Sequence, residues 1–180
     1  MIYTYKDCIE MFGSKYKINK MVAEGKLYKL EKGIYSDRRY VSELGIITKK
    51  YPKGIITMNS AFYYHNLTDT IPDLYYIATS KGSSKIADSR VVQIFENSGN
   101  LTLGAERTEY NKVTVLMYNK ERMLIELLRN KNKLSFDYYK EIIENYRRQM
   151  HDLDIQLIQD YAAVMPKRKM IIEALRMEVL

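Results

Sequence analysis

The chain has 180 residues, which is enough for one sizeable domain or two small ones, each with its own apolar core. Its 46% hydrophobic residues and few prolines and glycines exclude a disordered or collagen-like chain. One cysteine and two histidines supply neither an internal disulfide nor an ordinary zinc site. Because no long apolar run or signal-peptide pattern is present, we expect a cytoplasmic protein without a membrane span.

Positive charge is concentrated near the N-terminus. The formal net charge is +7, and residues 1–56 hold 12 Lys/Arg against 6 Asp/Glu, whereas the rest hold 17 against 16. A basic module followed by a nearly neutral one predicts a polyanion-binding part and a second part with another role. A solvated lysine-rich surface would give the same charges, so the interpretation also needs a suitable fold.

The first apolar run has the spacing of a helix. Its apolar side chains fall on one stripe, at Tyr5, Cys8, Ile9 and Phe12. Gly13 suits the end of this helix, and Ser14 can cap a second one. The second helix repeats the apolar spacing at Ile18, Met21 and Val22. Two short helices are therefore expected to share one core, with Cys8 inside it.

The other face of the second helix is polar and cationic. It carries Lys15, Lys17, Asn19 and Lys20. Docking on phosphates and reading of base edges require cations and amides on such a helix, and Asn19 is the best candidate to read a base.

A β-hairpin pattern follows Gly25, which suits the end of the second helix. The stretches KLYKL and GIYS flank a short link in which Gly33 can take a positive φ. This order predicts a winged helix-turn-helix with its second helix in the DNA major groove. Cations in and after the hairpin would contact phosphates, namely Lys29, Lys32, Arg38 and Arg39. A purely structural helix-hairpin unit has the same pattern and stays open as the alternative.

A third helix, ending before Pro52, is expected to close the small domain or to begin the link to the next one. We place the small domain at residues 1–53. The next segment, GIITMNSAFYYHNLTD, predicts a short strand, a cap at Asn59 or Ser60, and a helix carrying His65. Because no second histidine or cysteine stands near His65, we expect a partly buried histidine bonded to a backbone carbonyl.

Three strand-like runs come next, at LYYIAT, VVQIFE and KVTVLMY. The segment between the first two, SKGSSK, lacks the Walker spacing and predicts a mobile hairpin. The run YNKERMLIELLRN predicts a helix capped by Asn119. Three more helices are predicted after it: one capped by Ser135, one that ends at Pro166, and one after Pro166. The predicted fold class is α+β, with an N-terminal winged helix-turn-helix at 1–53. Residues 54–180 would form a domain with a small sheet and a C-terminal helical layer.

No catalytic set can be assembled from this sequence. Asp152 and Asp154 could hold Mg²⁺ in a nucleotidyltransferase, but no Gly-Ser turn lies close before them. We expect them to be first-turn acids of a helix. The chain is therefore not expected to be an enzyme or to hold a metal or cofactor.

Three segments, taken in order, resemble the AbiEi-type antitoxins of type IV toxin-antitoxin systems, which are linked to abortive phage infection. EGKLYKLEKGIYSD is similar to the family's G-x-L-x-x-x-x-x-G-x-Y wing, and SAFYYHNLTDTIP to its S-A-x-x-x-H-x-L segment. KERMLIELLRN is similar to E-R-T-L-x-D-L-L, with Met123 and Glu126 at the usual Thr and Asp positions.

The resemblance implies a two-part antitoxin. Its winged helix would bind double-stranded DNA at its own promoter through the eight residues named above and repress the operon. Its C-terminal domain would counter a nucleotidyltransferase-like toxin, and a stable complex with that toxin is not implied. The alternative is a protein-protein adaptor with a structural helix-hairpin module, which a neighbouring toxin gene would argue against.

Overall fold

The structure is a computed structural model and describes residues Met1–Val179. These residues divide into two compact units. The first comprises Met1–Lys53 and Asn111–Thr114, and the second comprises Gly54–Tyr110 and the chain from Val115 onward. The four residues Asn111–Thr114 were not part of the N-terminal domain predicted from the sequence.

The first unit combines short helices with a small antiparallel sheet. Its elements are β1 (Ile2–Thr4), α1 (Tyr5–Phe12), α2 (Lys15–Ala23), β2 (Tyr28–Glu31), β3 (Ile34–Ser36) and α3 (Glu43–Lys50). The strand order is β1-β3-β2, with every pair antiparallel. The sequence predicted both helices and the hairpin but not β1, which is only three residues long.

Local capping explains where the helices of this unit begin and end. Thr4 Oγ1 accepts from the Asp7 N–H at 3.1 Å, and the Asp7 carboxylate accepts from the Thr4 N–H at 2.8 Å, which forms a capping box. Ser14 accepts from the Lys17 N–H at 3.3 Å, so its predicted role as the cap of α2 is confirmed. Gly13 ends α1 with φ +79°, a left-handed conformation that glycine adopts without steric strain.

The helices and the sheet of the first unit share one apolar core. It is built around the buried side chains of Cys8, Ile18, Leu27 and Tyr35. The prediction that Cys8 lies in the core is therefore confirmed. Gly33, with φ +80°, allows the tight connection between β2 and β3.

The second unit contains a mixed sheet and the larger share of the helices. Its strands are β4 (Ile55–Ile56), β5 (Tyr75–Ser80), β6 (Val91–Glu96), β7 (Ala105–Tyr110) and β8 (Val113–Tyr118), in the sheet order β6-β5-β4-β8-β7. The first two residues of β8, Val113 and Thr114, belong to the first unit. Its helices are α4 (Met58–Tyr64), α5 (Ser98–Leu101), α6 (Lys120–Arg129), α7 (Phe136–Arg148), α8 (Ile155–Val164) and α9 (Arg168–Ala174). A π-helical segment, Leu175–Val179, follows α9.

Two connections in the second unit differ from the sequence prediction. β5 and β6 pair in parallel, so the predicted hairpin between them is wrong and the connection is a crossover. β7 and α5 were not predicted, and the sequence AERTEY of β7 carries three charges. Turn composition marks where a strand ends, but it does not determine the direction of the next strand.

The predicted cap of α4 is also wrong. Thr57, rather than Asn59 or Ser60, takes the N-cap position. Ser60 is fully buried, and its hydroxyl donates to the Leu74 carbonyl at 3.2 Å and accepts from the Tyr76 N–H at 2.9 Å. This hydroxyl therefore bonds α4 to the start of β5 instead of capping its own helix.

α6 lies at the centre of the second unit. Asn119 caps it, as predicted, by accepting from the Arg122 N–H at 2.9 Å. The stretch from Arg122 to Leu128 is buried, including the leucines and the methionine expected to pack inward. The chain is thus a mixed α+β protein with a small antiparallel sheet, a larger mixed sheet and helices. None of the helices within Met1–Val179 combines the length and the apolar character needed to cross a membrane.

Candidate nucleic-acid interface

α2 separates its apolar and polar side chains cleanly. Ile18 is fully buried on the inner side, and Met21 and Val22 pack against the same core. All four residues predicted for its outward face are exposed, namely Lys15, Lys17, Asn19 and Lys20. The helix is therefore anchored by one side and free to contact a ligand with the other.

The lysines of α2 differ in whether they form an ion pair. Within Met1–Val179, no carboxylate forms an ion pair with Lys15 or Lys17. Lys20 Nζ lies 3.8 Å from Glu24 Oε1, and Glu24 also pairs with Lys26 at 2.7 Å. Because these groups are exposed, the Lys20 pair is weak and screened by salt. Lys15 and Lys17 are the more available cations.

The β2–β3 hairpin adds two exposed lysines to this unit. Lys29 lies in β2, and Lys32 follows it at the turn before Gly33. Neither lysine has an ion-pair partner among the residues that the structure describes. Their neighbour Glu31 instead contacts Lys50 of α3 at 3.3 Å. The acid of this hairpin is thus engaged with α3, which leaves Lys29 and Lys32 free to bind anions.

The segment after β3 carries the remaining predicted cations, Arg38 and Arg39, and both are exposed. The Asp37 carboxylate pairs with the N-terminal ammonium of Met1, and this bond holds the pKa of Asp37 below its ordinary value. The Arg39 guanidinium carbon lies 5.7 Å from the centre of the Tyr40 ring. Asp37, which directly precedes the two arginines in the sequence, is therefore already paired with the N-terminal ammonium.

One residue of α2 was missed by the sequence analysis. Tyr16 is 78% exposed and stands between Lys15 and Lys17. The missed signal was positional, since Tyr16 is two residues from the buried Ile18 and so lies on nearly the opposite side of the helix, about 160° away.

An ion pair connects α1 and α3 of the first unit. Lys49 Nζ of α3 lies 2.8 Å from Asp7 Oδ2 in the capping box of α1. The hydrogen bond from Lys49 is the largest cause that lowers the pKa of Asp7 to about 2, and the bond from the Thr4 N–H adds to it. The pair therefore stabilises the framework that presents α2.

A second cluster of charges lies in the other unit, around Arg122 of α6. The Arg122 side chain is fully buried, and its Nη2 lies 2.8 Å from Glu126 Oε1. Its Nη1 donates to the carbonyl oxygens of Asn100 and Leu103 at 3.0 and 3.1 Å. The guanidinium carbon lies 4.6 Å from the centre of the Tyr118 ring. Arg122 thus connects α6 with α5 and β8.

Arg129 completes this cluster with a second carboxylate. Its Nη1 donates to Glu96 Oε2 at 2.8 Å and to Glu126 Oε1 at 2.9 Å. Burial by itself would raise the pKa of Glu96, but the Asn97 N–H and the Arg129 guanidinium lower it below its ordinary value. The charges of the two arginines and the two glutamates balance, so the burial of these charged groups has a structural explanation. Glu126, at the position where the resembled pattern has Asp, contacts both arginines of this cluster.

The histidine of the second unit also has a structural role. His65 Nε2 lies 2.7 Å from the Tyr118 carbonyl oxygen, which confirms the predicted backbone bond. Burial lowers the pKa of His65 below its ordinary value, so the ring is neutral at neutral pH. His65 therefore donates through Nε2 and connects the end of α4 to β8.

The two aspartates considered for Mg²⁺ are placed separately. Asp154 is the N-cap of α8 and accepts from the Leu157 N–H at 3.0 Å, so it stands one position before the first turn. Asp152 lies in a 3₁₀ turn before this helix, 3.4 Å from His151 Nε2, and its predicted place in the first turn is wrong. Among the described residues, no group of three or more His, Cys, Asp or Glu side chains could hold a metal ion.

Comparison with solved structures shows a likeness of fold. The chain is similar to the crystal structure of the RV2827C protein from Mycobacterium tuberculosis, with a TM-score of 0.66 and 14% sequence identity. The likeness covers 98% of this chain and 71% of that one. At this identity it shows a shared fold alone. No protein-family model and no curated protein match the sequence.

Proposed function

We propose that this protein is a DNA-binding repressor of its own operon and the antitoxin of a type IV toxin-antitoxin system in the cytoplasm. The observation that carries the proposal is the outward face of α2, which is cationic and exposed and belongs to the same compact unit as the β2–β3 hairpin.

The arrangement of the first unit supports a winged helix-turn-helix. α1 and α2 are joined at Gly13, and a hairpin follows them directly. The strand order β1-β3-β2 places the strand before the helices beside the second strand of that hairpin. In such modules the second helix enters the major groove and the hairpin contacts the adjacent backbone. α2 would be the recognition helix and β2–β3 the wing.

The side chains of this unit fit the two tasks of a DNA reader. Lys15 and Lys17 lie on α2 without ion-pair partners in Met1–Val179 and would neutralise phosphates. Lys29 and Lys32 would do the same from the wing. Asn19 presents an amide, which can bond an adenine edge through two hydrogen bonds.

The antitoxin part of the proposal is supported by the resemblance to AbiEi-type proteins. The residues that carry it form local contacts in this fold. Gly25 and Gly33 take positive φ at the two ends of the wing segment. His65 bonds to the Tyr118 carbonyl, and Glu126 pairs with Arg122. The three motifs are thus packing and turn motifs that follow one another in the same order as in the AbiEi-type pattern. This order favours a DNA-binding part followed by an antitoxin part.

DNA binding is tested with the purified protein, its own upstream duplex and a scrambled duplex of equal length, each at two salt concentrations. We expect tighter binding to the native duplex and weaker binding at the higher salt concentration. Equal or undetectable binding to both duplexes would contradict the repressor role. The protein-protein adaptor would then be the better explanation of the helix-hairpin module.

The antitoxin role needs a separate experiment. We expect an adjacent reading frame with nucleotidyltransferase Gly-Ser and Asp-x-Asp patterns to inhibit growth when expressed alone. Co-expression of this protein should restore growth, and the variant Lys17→Ala should restore it equally well, because Lys17 lies in the DNA-binding unit. Growth inhibition that persists on co-expression would contradict the antitoxin role without affecting the DNA-binding result.

A further inference from the structure

Tyr16 occupies the centre of the outward face of α2. Ile18 is fully buried, and a residue two positions away on a helix points about 160° from it. Lys20 stands one turn further along the same face, and Asn19 flanks it. Tyr16 is 78% exposed, so almost the whole ring is available to a ligand.

Tyr16 is flanked on this face by two lysines. Lys15 and Lys17 precede and follow it, and no carboxylate within the described chain pairs with either of them. Cations on both sides of a helix that lies in a groove suit the two phosphate strands at its walls. The aromatic ring between them then points toward the floor of the groove, where the base edges are.

The floor of the major groove offers one apolar group, the 5-methyl of thymine. The other groups exposed there are hydrogen-bond donors and acceptors, which lysine and asparagine bind. An aromatic ring gains most by covering apolar surface. The ring of Tyr16 therefore fits a thymine methyl better than a phosphate or a polar base edge.

We propose that Tyr16 is a specificity-determining residue, whose ring packs on the methyl group of one thymine in the operator. This inference rests on the proposed DNA-binding function and adds to it a base preference that the charges of α2 do not supply. It also assigns separate roles along the helix, with Asn19 reading through hydrogen bonds and Tyr16 through apolar contact.

The test replaces the thymines of the native upstream duplex by deoxyuridine, one position at a time, which removes a single methyl group. We expect the wild-type protein to lose about fourfold in affinity at one position, the ratio expected for one buried methyl-sized group. Tyr16→Ala should bind the unmodified duplex more weakly and show no further loss at that position. Tyr16→Phe should keep the wild-type sensitivity, because it keeps the ring.

Phe136→Ala is the matched control, since Phe136 is 72% exposed but lies on α7 of the second unit. It should retain the wild-type response to deoxyuridine. Circular dichroism would verify that the variants are folded. If Tyr16→Ala responds to each deoxyuridine as the wild type does, the inference is overturned while DNA binding stands. If the wild type does not prefer its native duplex, the proposed function fails first and this inference fails with it.

Discussion

Glu126 is a buried carboxylate whose charge is balanced by two guanidinium groups. Arg122 lies 2.8 Å away and Arg129 2.9 Å away, and Glu96 supplies the second negative charge. Buried ions are costly to desolvate, and such a cluster is tolerated only while every charge keeps its partners. The stability of the second unit therefore depends strongly on each member.

Glu126→Gln removes one charge and preserves the shape of the side chain. We expect the free energy of unfolding to fall by about 3–5 kcal/mol, because Arg122 and Arg129 would share the single carboxylate of Glu96. The measurement is urea unfolding followed by circular dichroism. Glu173→Gln, on the exposed side of α9, is the control and should change stability by less than about 0.5 kcal/mol. Equal effects of the two variants would mean that the cluster contributes no special stability.

We expect His65 to make the stability of the second unit depend on pH. Burial lowers its pKa below the ordinary value of 6.5, so the folded state binds a proton more weakly than the unfolded state does. Its contribution is complete above pH 6.5 and decreases as the pH falls through the lower pKa of the folded state.

Melting temperatures above and below pH 6.5 would measure this contribution. We expect the wild type to lose stability on acidification and His65→Gln to lose less, because its amide does not titrate. His151→Gln removes a histidine that is 76% exposed and should keep the wild-type dependence. Identical pH profiles for the wild type and His65→Gln would exclude His65 as the source.

At the level of secondary-structure elements, α1 and α3 are connected by the ion pair between Asp7 and Lys49. Both side chains are 36% exposed, so we expect the pair to contribute less than about 1 kcal/mol. Asp7 has a lowered pKa, and its contribution is therefore complete above pH 3.8 and lost as the pH falls toward about 2.

Lys49→Met tests this pair while it leaves the capping box of α1 in place. The variant should be less stable than the wild type at pH values above 3.8, and the difference should decrease as the pH approaches 2. Acid titration of the unfolding free energy of both proteins provides the measurement. A difference that stays constant over this pH range would mean that Lys49 acts through packing rather than through its charge.

The same elements show what the sequence could and could not predict. Ser14 and Gly33 determine the structure within a few residues, so α2 and the hairpin followed from local signals. β5 and β6 are consecutive strands joined by residues 81–90, and the composition of that link does not encode whether the two strands pair in parallel or antiparallel. The exposed cations of α2 were predictable by residue type. The burial of Arg122 was not, because the carbonyl oxygens of Asn100 and Leu103 that accept from it come from another segment.

At the level of the whole molecule, the two units differ in charge and in the use of their charged residues. In the second unit, a buried and a partly buried arginine of α6 are paired with glutamates. In the first, lysines of α2 and of the hairpin are exposed, and residues 1–56 carry a net charge of +6. If the proposed DNA binding takes place, a charge difference of this kind predicts that its affinity depends on positions in the first unit rather than on total charge.

Substitution of one exposed lysine in each unit distinguishes binding that depends on position from binding that depends on total charge. Lys17→Ala on α2 should weaken binding to any duplex and lower the slope of log affinity against log salt by roughly 1, because one phosphate contact is lost. Lys140 lies on α7 of the second unit and is 62% exposed, so Lys140→Ala makes the same charge change elsewhere. It should leave the slope unchanged. Equal reductions in both variants would assign the binding to net charge, and an unchanged slope for Lys17→Ala would remove that lysine from the interface.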